Sequence, residues 1–126
     1  MVFHTDKENL HIQMEGNWEH DKKSGMGKAT YTDGDVYEGH WLNDEMNGKG
    51  VMKFASGSIY DGYFLDGLRS GQGKYIFPNG KTYEGNWEDD KKNGLGKMTY
   101  VNGDVYEGEW KNNMMDGEGI MEWGIS

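Results

Sequence analysis

Apolar and polar positions alternate in short bursts along this chain, and the bursts return every 23 residues. Five blocks align without an insertion when counted from Met14, Tyr37, Tyr60, Tyr83 and Tyr106. With that first residue as slot 1, slots 1, 3 and 5 hold Tyr or Met, then Gly, then Trp or Phe, as in Tyr37, Gly39 and Trp41. This is the two-residue period of a β-strand. Slots 12, 14, 16 and 18 hold Gly, Gly, a mostly apolar residue and an aromatic, as in Gly48, Gly50, Met52 and Phe54, which predicts a second strand. Asp33-Gly34, Ser56-Gly57, Asn79-Gly80 and Asn102-Gly103 then predict tight type I′ turns between blocks. The connection inside each block, such as Asn43 to Asn47, reads as a longer polar loop. No helical period is present. The fold class is therefore all-β: a single-layer antiparallel meander of about ten strands, with neighbours about 4.8 Å apart and a length of roughly 45 Å. Residues 1–13 form an N-terminal extension or cap, followed by repeats 14–36, 37–59, 60–82, 83–105 and 106–126. Repetition at a fixed period marks an array in which each unit leans on its neighbours.

Alternation also assigns the faces. One face collects Tyr37, Trp41, Met52 and Phe54, then Tyr60, Phe64, Tyr75 and Phe77, then Tyr83, Trp87, Met98 and Tyr100, then Tyr106, Trp110, Met121 and Trp123. Slot-3 glycines (Gly39, Gly62, Gly85 and Gly108) leave room for rings to lie over the backbone. The opposite face carries an acidic ladder of Glu15, Glu38, Asp61, Glu84 and Glu107, with Lys28, Lys74 and Lys97 as cross-strand partners. Two readings of the aromatic face stand side by side. The rings are the only core such a sheet has, or a bent single layer leaves them partly open as a groove. In the second reading Tyr37, Trp41, Tyr60, Phe64, Tyr83, Trp87, Tyr106 and Trp110 clamp a helical or extended segment of a protein partner, with Phe54, Phe77, Tyr100 and Trp123 alongside. Two grooves meeting in a homodimer would cover the rings equally well.

Composition agrees with a thin, wet-faced structure. Only 34% of residues are hydrophobic and 21 are glycine, yet 14 of the aromatics fall in three slots, so the glycine is phased and not scattered. There is no cysteine, which excludes a disulfide framework and thiol chemistry and fits a reducing compartment. No stretch approaches the roughly 20 apolar residues of a membrane span, and Met1–Leu10 lacks the apolar run of a secretory signal. A net charge of −9 disfavours nucleic acid and anionic membranes, since both need segregated basic residues and only Lys22-Lys23 and Lys91-Lys92 cluster.

Local motifs that suggest chemistry dissolve into the repeat. Gly25-Met26-Gly27-Lys28 and Gly94-Leu95-Gly96-Lys97 resemble pieces of a phosphate loop, but they lack the upstream glycine and a following Ser or Thr. Asp33, Asp35 and Glu38 lack the ligand spacing of a calcium loop. His4, His11, His20 and His40 share no repeat slot and no ligand spacing. No catalytic residue, metal site or cofactor is expected.

The motif Y-E-G-H-W at Tyr37–Trp41, followed by G-K-G at Gly48–Gly50, resembles the membrane occupation and recognition nexus (MORN) repeat, and the resemblance runs from Met14 to Ser126. The chain departs from that pattern at Met14 and Phe64 and at slot 8, where Asp21, Asp44, Asp90 and Asn113 stand and only Gly67 is glycine. Asp and Asn accept a left-handed backbone, so these remain turn-compatible. The resemblance implies a non-enzymatic scaffold or adaptor for a partner protein. By analogy with stand-alone arrays it is cytoplasmic and cytoskeleton-associated, in a ciliary axoneme or radial spoke. A peripheral membrane or phosphoinositide-binding module is the alternative that the same family suggests.

Overall fold

The computed structural model of the chain describes residues 11–19 and 22–124, with side chains from Ser24 to Gly124. Ten strands follow in chain order: β1 His11–Glu19, β2 Lys22–Tyr31, β3 Val36–Leu42, β4 Glu45–Lys53, β5 Ile59–Leu65, β6 Leu68–Ile76, β7 Thr82–Glu88, β8 Lys91–Thr99, β9 Val105–Lys111 and β10 Met114–Glu122. They form one sheet in which every strand pairs antiparallel with its sequence neighbour, and no helix occurs among the described residues. The meander read from the sequence is the observed fold. β1 begins inside the predicted N-terminal extension, and residues 1–10 lie outside the described residues.

The two kinds of turn are exchanged relative to the sequence reading. The two-residue hairpin sits inside the repeat, where both central residues have positive φ: Asn43 50° and Asp44 70°, Asp66 50° and Gly67 84°, Asp89 48° and Asp90 70°, Asn112 50° and Asn113 72°. A type I′ turn requires that pair of left-handed residues, and Asn and Asp tolerate it. The expected polar loop Asn43–Asn47 is therefore a turn of two residues, with Leu42 facing Glu45. Between repeats the loop has three residues, and only its glycine is left-handed (Gly34 φ 99°, Gly57 102°, Gly80 95°, Gly103 95°). There the Gly34 N–H donates to the Tyr31 carbonyl at 3.0 Å and the Tyr31 N–H to the Asp35 carbonyl at 2.9 Å. An X-Gly dipeptide suits this three-residue loop as well as type I′, so dipeptide chemistry alone does not separate them.

Shorter hairpins force a bulge into each second strand. Gly39 faces Gly50 and Trp41 faces Met46, so His40 alone stands opposite Asn47, Gly48 and Lys49. The same shift recurs in the three later hairpins, where slot 5 meets slot 10 as Phe64 with Arg69, Trp87 with Lys92 and Trp110 with Met115. Bulges bend and twist the sheet, and this one brings the slot-10 side chain over the aromatic face.

That face holds the core. Each slot-1 tyrosine lies flat on a glycine pair: a Cβ at Gly50 would overlap the Tyr37 ring, and one at Gly73 the Tyr60 ring. The hydroxyls donate to slot-4 carbonyls, Tyr37 to His40 at 2.8 Å, Tyr60 to Tyr63 at 2.8 Å, Tyr83 to Asn86 at 2.9 Å and Tyr106 to Glu109 at 3.2 Å. Between tyrosines stand the slot-5 rings in edge contact. Tyr37 touches Trp41 at 5.2 Å and Phe64 at 5.1 Å, Tyr60 touches Phe64 at 5.1 Å and Trp87 at 5.4 Å, and Tyr83 touches Trp87 and Trp110, each at 5.3 Å. Such pairs contribute about 0.5–1.5 kcal/mol each beyond the area they bury. The Trp87 indole N–H also donates to the Gly73 carbonyl, and that of Trp110 to the Gly96 carbonyl, both at 3.2 Å. Phe64 has no such donor.

Further hydrogen bonds tie consecutive repeats. Asp90 accepts the Arg69 backbone N–H at 2.7 Å, and the Asn113 side chain accepts that of Lys92 at 2.8 Å. Gly67 keeps only the backbone bond, its N–H donating to the Met46 carbonyl at 2.9 Å. At slot 22, Asp35 accepts the Ala55 N–H at 2.7 Å and Asp104 accepts the Gly124 N–H at 2.6 Å. On the other face the expected charge ladder is in register, with Asp61 opposite Lys74 and Lys97 opposite Glu107. Those side chains are exposed, so they contribute solubility more than stability.

Two outcomes follow from this core. Gly73→Ala should lower the unfolding free energy by about 1–3 kcal/mol through overpacking, and Trp87→Ala by about 3–5 kcal/mol. The exposed Gln72→Ala should change it by less than about 0.5 kcal/mol. Urea midpoints measure all three. Burial also raises the buried phenols: Tyr83 is pushed up to about 12, and Tyr31, Tyr37 and Tyr60 higher still, desolvation being the largest cause in each. The unfolded chain then releases these protons from pH 10 upward while the native state keeps them, so stability should fall with rising pH between 10 and about 12. Tyrosinate absorbance at pH 11 should stay below its unfolded value until the sheet melts, as a parallel circular-dichroism titration would show.

Candidate interaction face

The structure corrects the first half of the expected clamp. Tyr37, Tyr60 and Tyr83 are fully buried, Tyr106 is 8% exposed, and Trp41, Phe64, Trp87 and Trp110 are 3–5% exposed. These eight residues are the core of the sheet and not the floor of an open groove. The physical reason is the bulge, which supplies a roof from the chain itself. Met46 at slot 10 is buried, as are Met52 and Met98 at slot 16. The Arg69 guanidinium lies 4.7 Å from the Trp87 ring centre and 5.4 Å from that of Tyr75. The Lys92 ammonium lies 5.6 Å from both Tyr83 and Trp110 and 5.8 Å from Trp87. Sequence reasoning missed this roof. Its signal was legible: slot 10 reads Lys23, Met46, Arg69, Lys92 and Met115, always a long unbranched side chain that can lie along apolar surface.

What stays accessible on this face is the slot-18 row. Tyr31 at its start is buried, Phe54, Phe77 and Tyr100 are half-buried against the core, and Trp123 is 76% exposed. Tyr75 connects the rows, 6.0 Å from Phe54 and 4.7 Å from Phe77. Of the twelve residues expected to meet a partner, Phe54, Phe77, Tyr100 and Trp123 are thus the ones a partner can reach.

Cations punctuate this row. Arg69 is held by Asp90, with Nε 3.1 Å from Oδ1 and Nη2 3.0 Å from the Asp90 carbonyl. Lys81 stands 4.5 Å from the Phe77 ring centre and 5.9 Å from that of Tyr100, and Lys92 is 5.9 Å from Phe77. Half-burial, and then the nearby Lys81 and Arg69 charges, push the Lys92 ammonium below its ordinary value. A shallow cleft of about 430 Å³ opens beside the row, lined by residues that include Lys81, Tyr100, Val101, Asp104 and Met121. Among the described residues no His, Cys, Asp and Glu cluster could hold a metal ion.

The geometry is a single sheet with a row of partly exposed rings, one per repeat, and with cations beside the row only at Arg69, Lys81 and Lys92. No curated protein matches the chain. The profile of the MORN repeat matches it at residues 15–36, 37–59, 60–82, 83–105 and 106–125, which are the repeats that the ring ladder and the bulges define in space. The chain belongs to the MORN repeat family.

Proposed function

We propose that this protein is an adaptor that docks a helical or extended segment of a partner protein along Phe54, Phe77, Tyr100 and Trp123. MORN repeats generally mediate protein–protein or membrane interactions, and scaffolds built of them are generally non-enzymatic. One observation carries the choice of surface: the inner rings have spent their edges and hydroxyls within the sheet, while the slot-18 row has apolar area to spare on a backbone that needs no rearrangement. Aromatic residues on a preorganised surface are the usual anchors of protein interfaces. A net charge of −9 supports a protein partner over an anionic membrane. The cytoskeletal, ciliary axonemal setting and the cytoplasmic location rest on likeness to stand-alone arrays alone.

Photo-crosslinking residues introduced at Phe77 or Tyr100 should capture a discrete protein band, and the same residue at Glu84 on the opposite face should not. Phe77→Ala combined with Tyr100→Ala should weaken the purified complex by at least about 2 kcal/mol, roughly thirtyfold in affinity, with an unchanged circular-dichroism spectrum. Two results would overturn the reading: salt-sensitive sedimentation with phosphatidylserine vesicles in place of crosslinking, or a light-scattering mass showing that a second copy covers the row.

A further inference from the structure

The repeat contains its own model of a ligand. Twenty residues separate each slot-22 side chain from the slot-19 N–H of the next repeat, and two of these pairs, Asp35 with Ala55 and Asp104 with Gly124, are carboxylate-to-amide hydrogen bonds of 2.7 and 2.6 Å. The other two described pairs break the pattern in different ways. Ser58 is matched with Pro78, which has no N–H, so the donor is absent. Lys81 is matched with Val101, whose N–H is intact and finds no acceptor among the described residues. Only this repeat keeps the amide while replacing the acid by a cation.

The place is also open, and an ammonium group stands in it. Lys81 and Val101 both line the shallow cleft beside Tyr100 and Met121. Neither Lys81 nor Lys92 forms an ion pair among the described residues, and both sit against the Phe77 ring. Asp104, the one carboxylate on the cleft wall, is already engaged by the Gly124 N–H and, through Oδ2, by the Asn102 side-chain amide at 3.2 Å. A chain of net charge −9 thus keeps two unneutralised ammonium groups on the face that carries its accessible rings.

We propose that the Lys81–Val101 cleft binds the carboxylate of an Asp or Glu side chain in the docked partner segment, placed where Asp35 and Asp104 stand in their own repeats. This rests on the adaptor reading and adds its specificity: the segment is apolar where it crosses Phe77 and Tyr100 and acidic at the point between them. The bound oxygen accepts the Val101 N–H and faces the Lys81 ammonium, with Lys92 adding to the field from the Phe77 side. Charge-assisted bonds to a preformed donor pair favour this one residue type while the overall negative charge repels acidic chains that lack the apolar match.

Lys81→Asp is the decisive variant, because it rebuilds the Asp35 and Asp104 arrangement and closes the cleft from within. Its melting temperature should equal or exceed that of the unmodified protein, so lost binding cannot be blamed on lost folding. Panning a random twelve-residue peptide library on the unmodified protein should enrich apolar sequences with a fixed Asp or Glu. Lys81→Asp should bind those peptides about tenfold more weakly or worse, and replacing their acidic residue by Lys should restore binding to the variant. Titrating N-acetylglutamate amide into 15N-labelled protein should move the Val101 amide resonance and leave those of Ala55 and Gly124 in place. Peptides enriched for rings and aliphatics with no acidic position would overturn the carboxylate site while leaving the adaptor reading intact. Phosphoinositide vesicle binding that Lys81→Asp abolishes would overturn it in favour of a lipid phosphate.

Discussion

Everything in this sheet depends on a tyrosine ring lying flat on a pair of cross-strand glycines. A single β-layer has no second layer to pack against, so its rings would ordinarily keep one side wet. Removing the two Cβ atoms lets the ring settle onto the backbone, where its hydroxyl reaches a slot-4 carbonyl and the ring makes T-shaped contacts with indole or phenyl rings from two successive repeats. The ring is thereby buried without a roof of its own. The bulge completes the enclosure by laying a methionine, arginine or lysine over the slot-5 ring. Each unit borrows half of its core from the next, which is why these units occur as an array.

The meander and the division of faces were legible in the sequence because both follow from a strict period of two inside a strict period of 23. The turn assignment was not. Asp89-Asp90 and Asn112-Asn113 look like polar loop residues, and only their coupling to slot-10 amides of the preceding repeat shows why two left-handed residues in succession are tolerated there. The error in the turn propagated. A hairpin of two residues where a longer loop was expected starts β4 at Glu45, opens the bulge at Asn47–Lys49, and turns Met46, Arg69 and Lys92 inward. The long cationic side chains of Arg69 and Lys92 thereby lie over Trp87, and that of Lys92 also over Trp110. Phe54, Phe77 and Tyr100 were placed on the core face by alternation alone, and they stay only half-buried there.

Electrostatics divides the molecule the same way. On the ladder face opposite charges face one another across strands, Lys74 between Asp61 and Glu84 and Lys97 between Glu84 and Glu107. On the ring face Asp35, Asp90 and Asp104 accept backbone N–H bonds, while Lys81 and Lys92 form no ion pair among the described residues. A binding surface on this chain is therefore marked less by its rings, which recur in every repeat, than by the few slots where one repeat differs from the others.

Those differences also fall unevenly along the array. At the β4–β5 junction Phe64 offers no indole N–H and Gly67 has no side chain to hold the Met46 amide, so two side-chain ties are missing together. The β8–β9 junction has both, through Trp110 and Asn113. Load applied along the array would not be shared equally. Bending along the strip would meet fewer side-chain ties at the β4–β5 seam than at the β8–β9 seam.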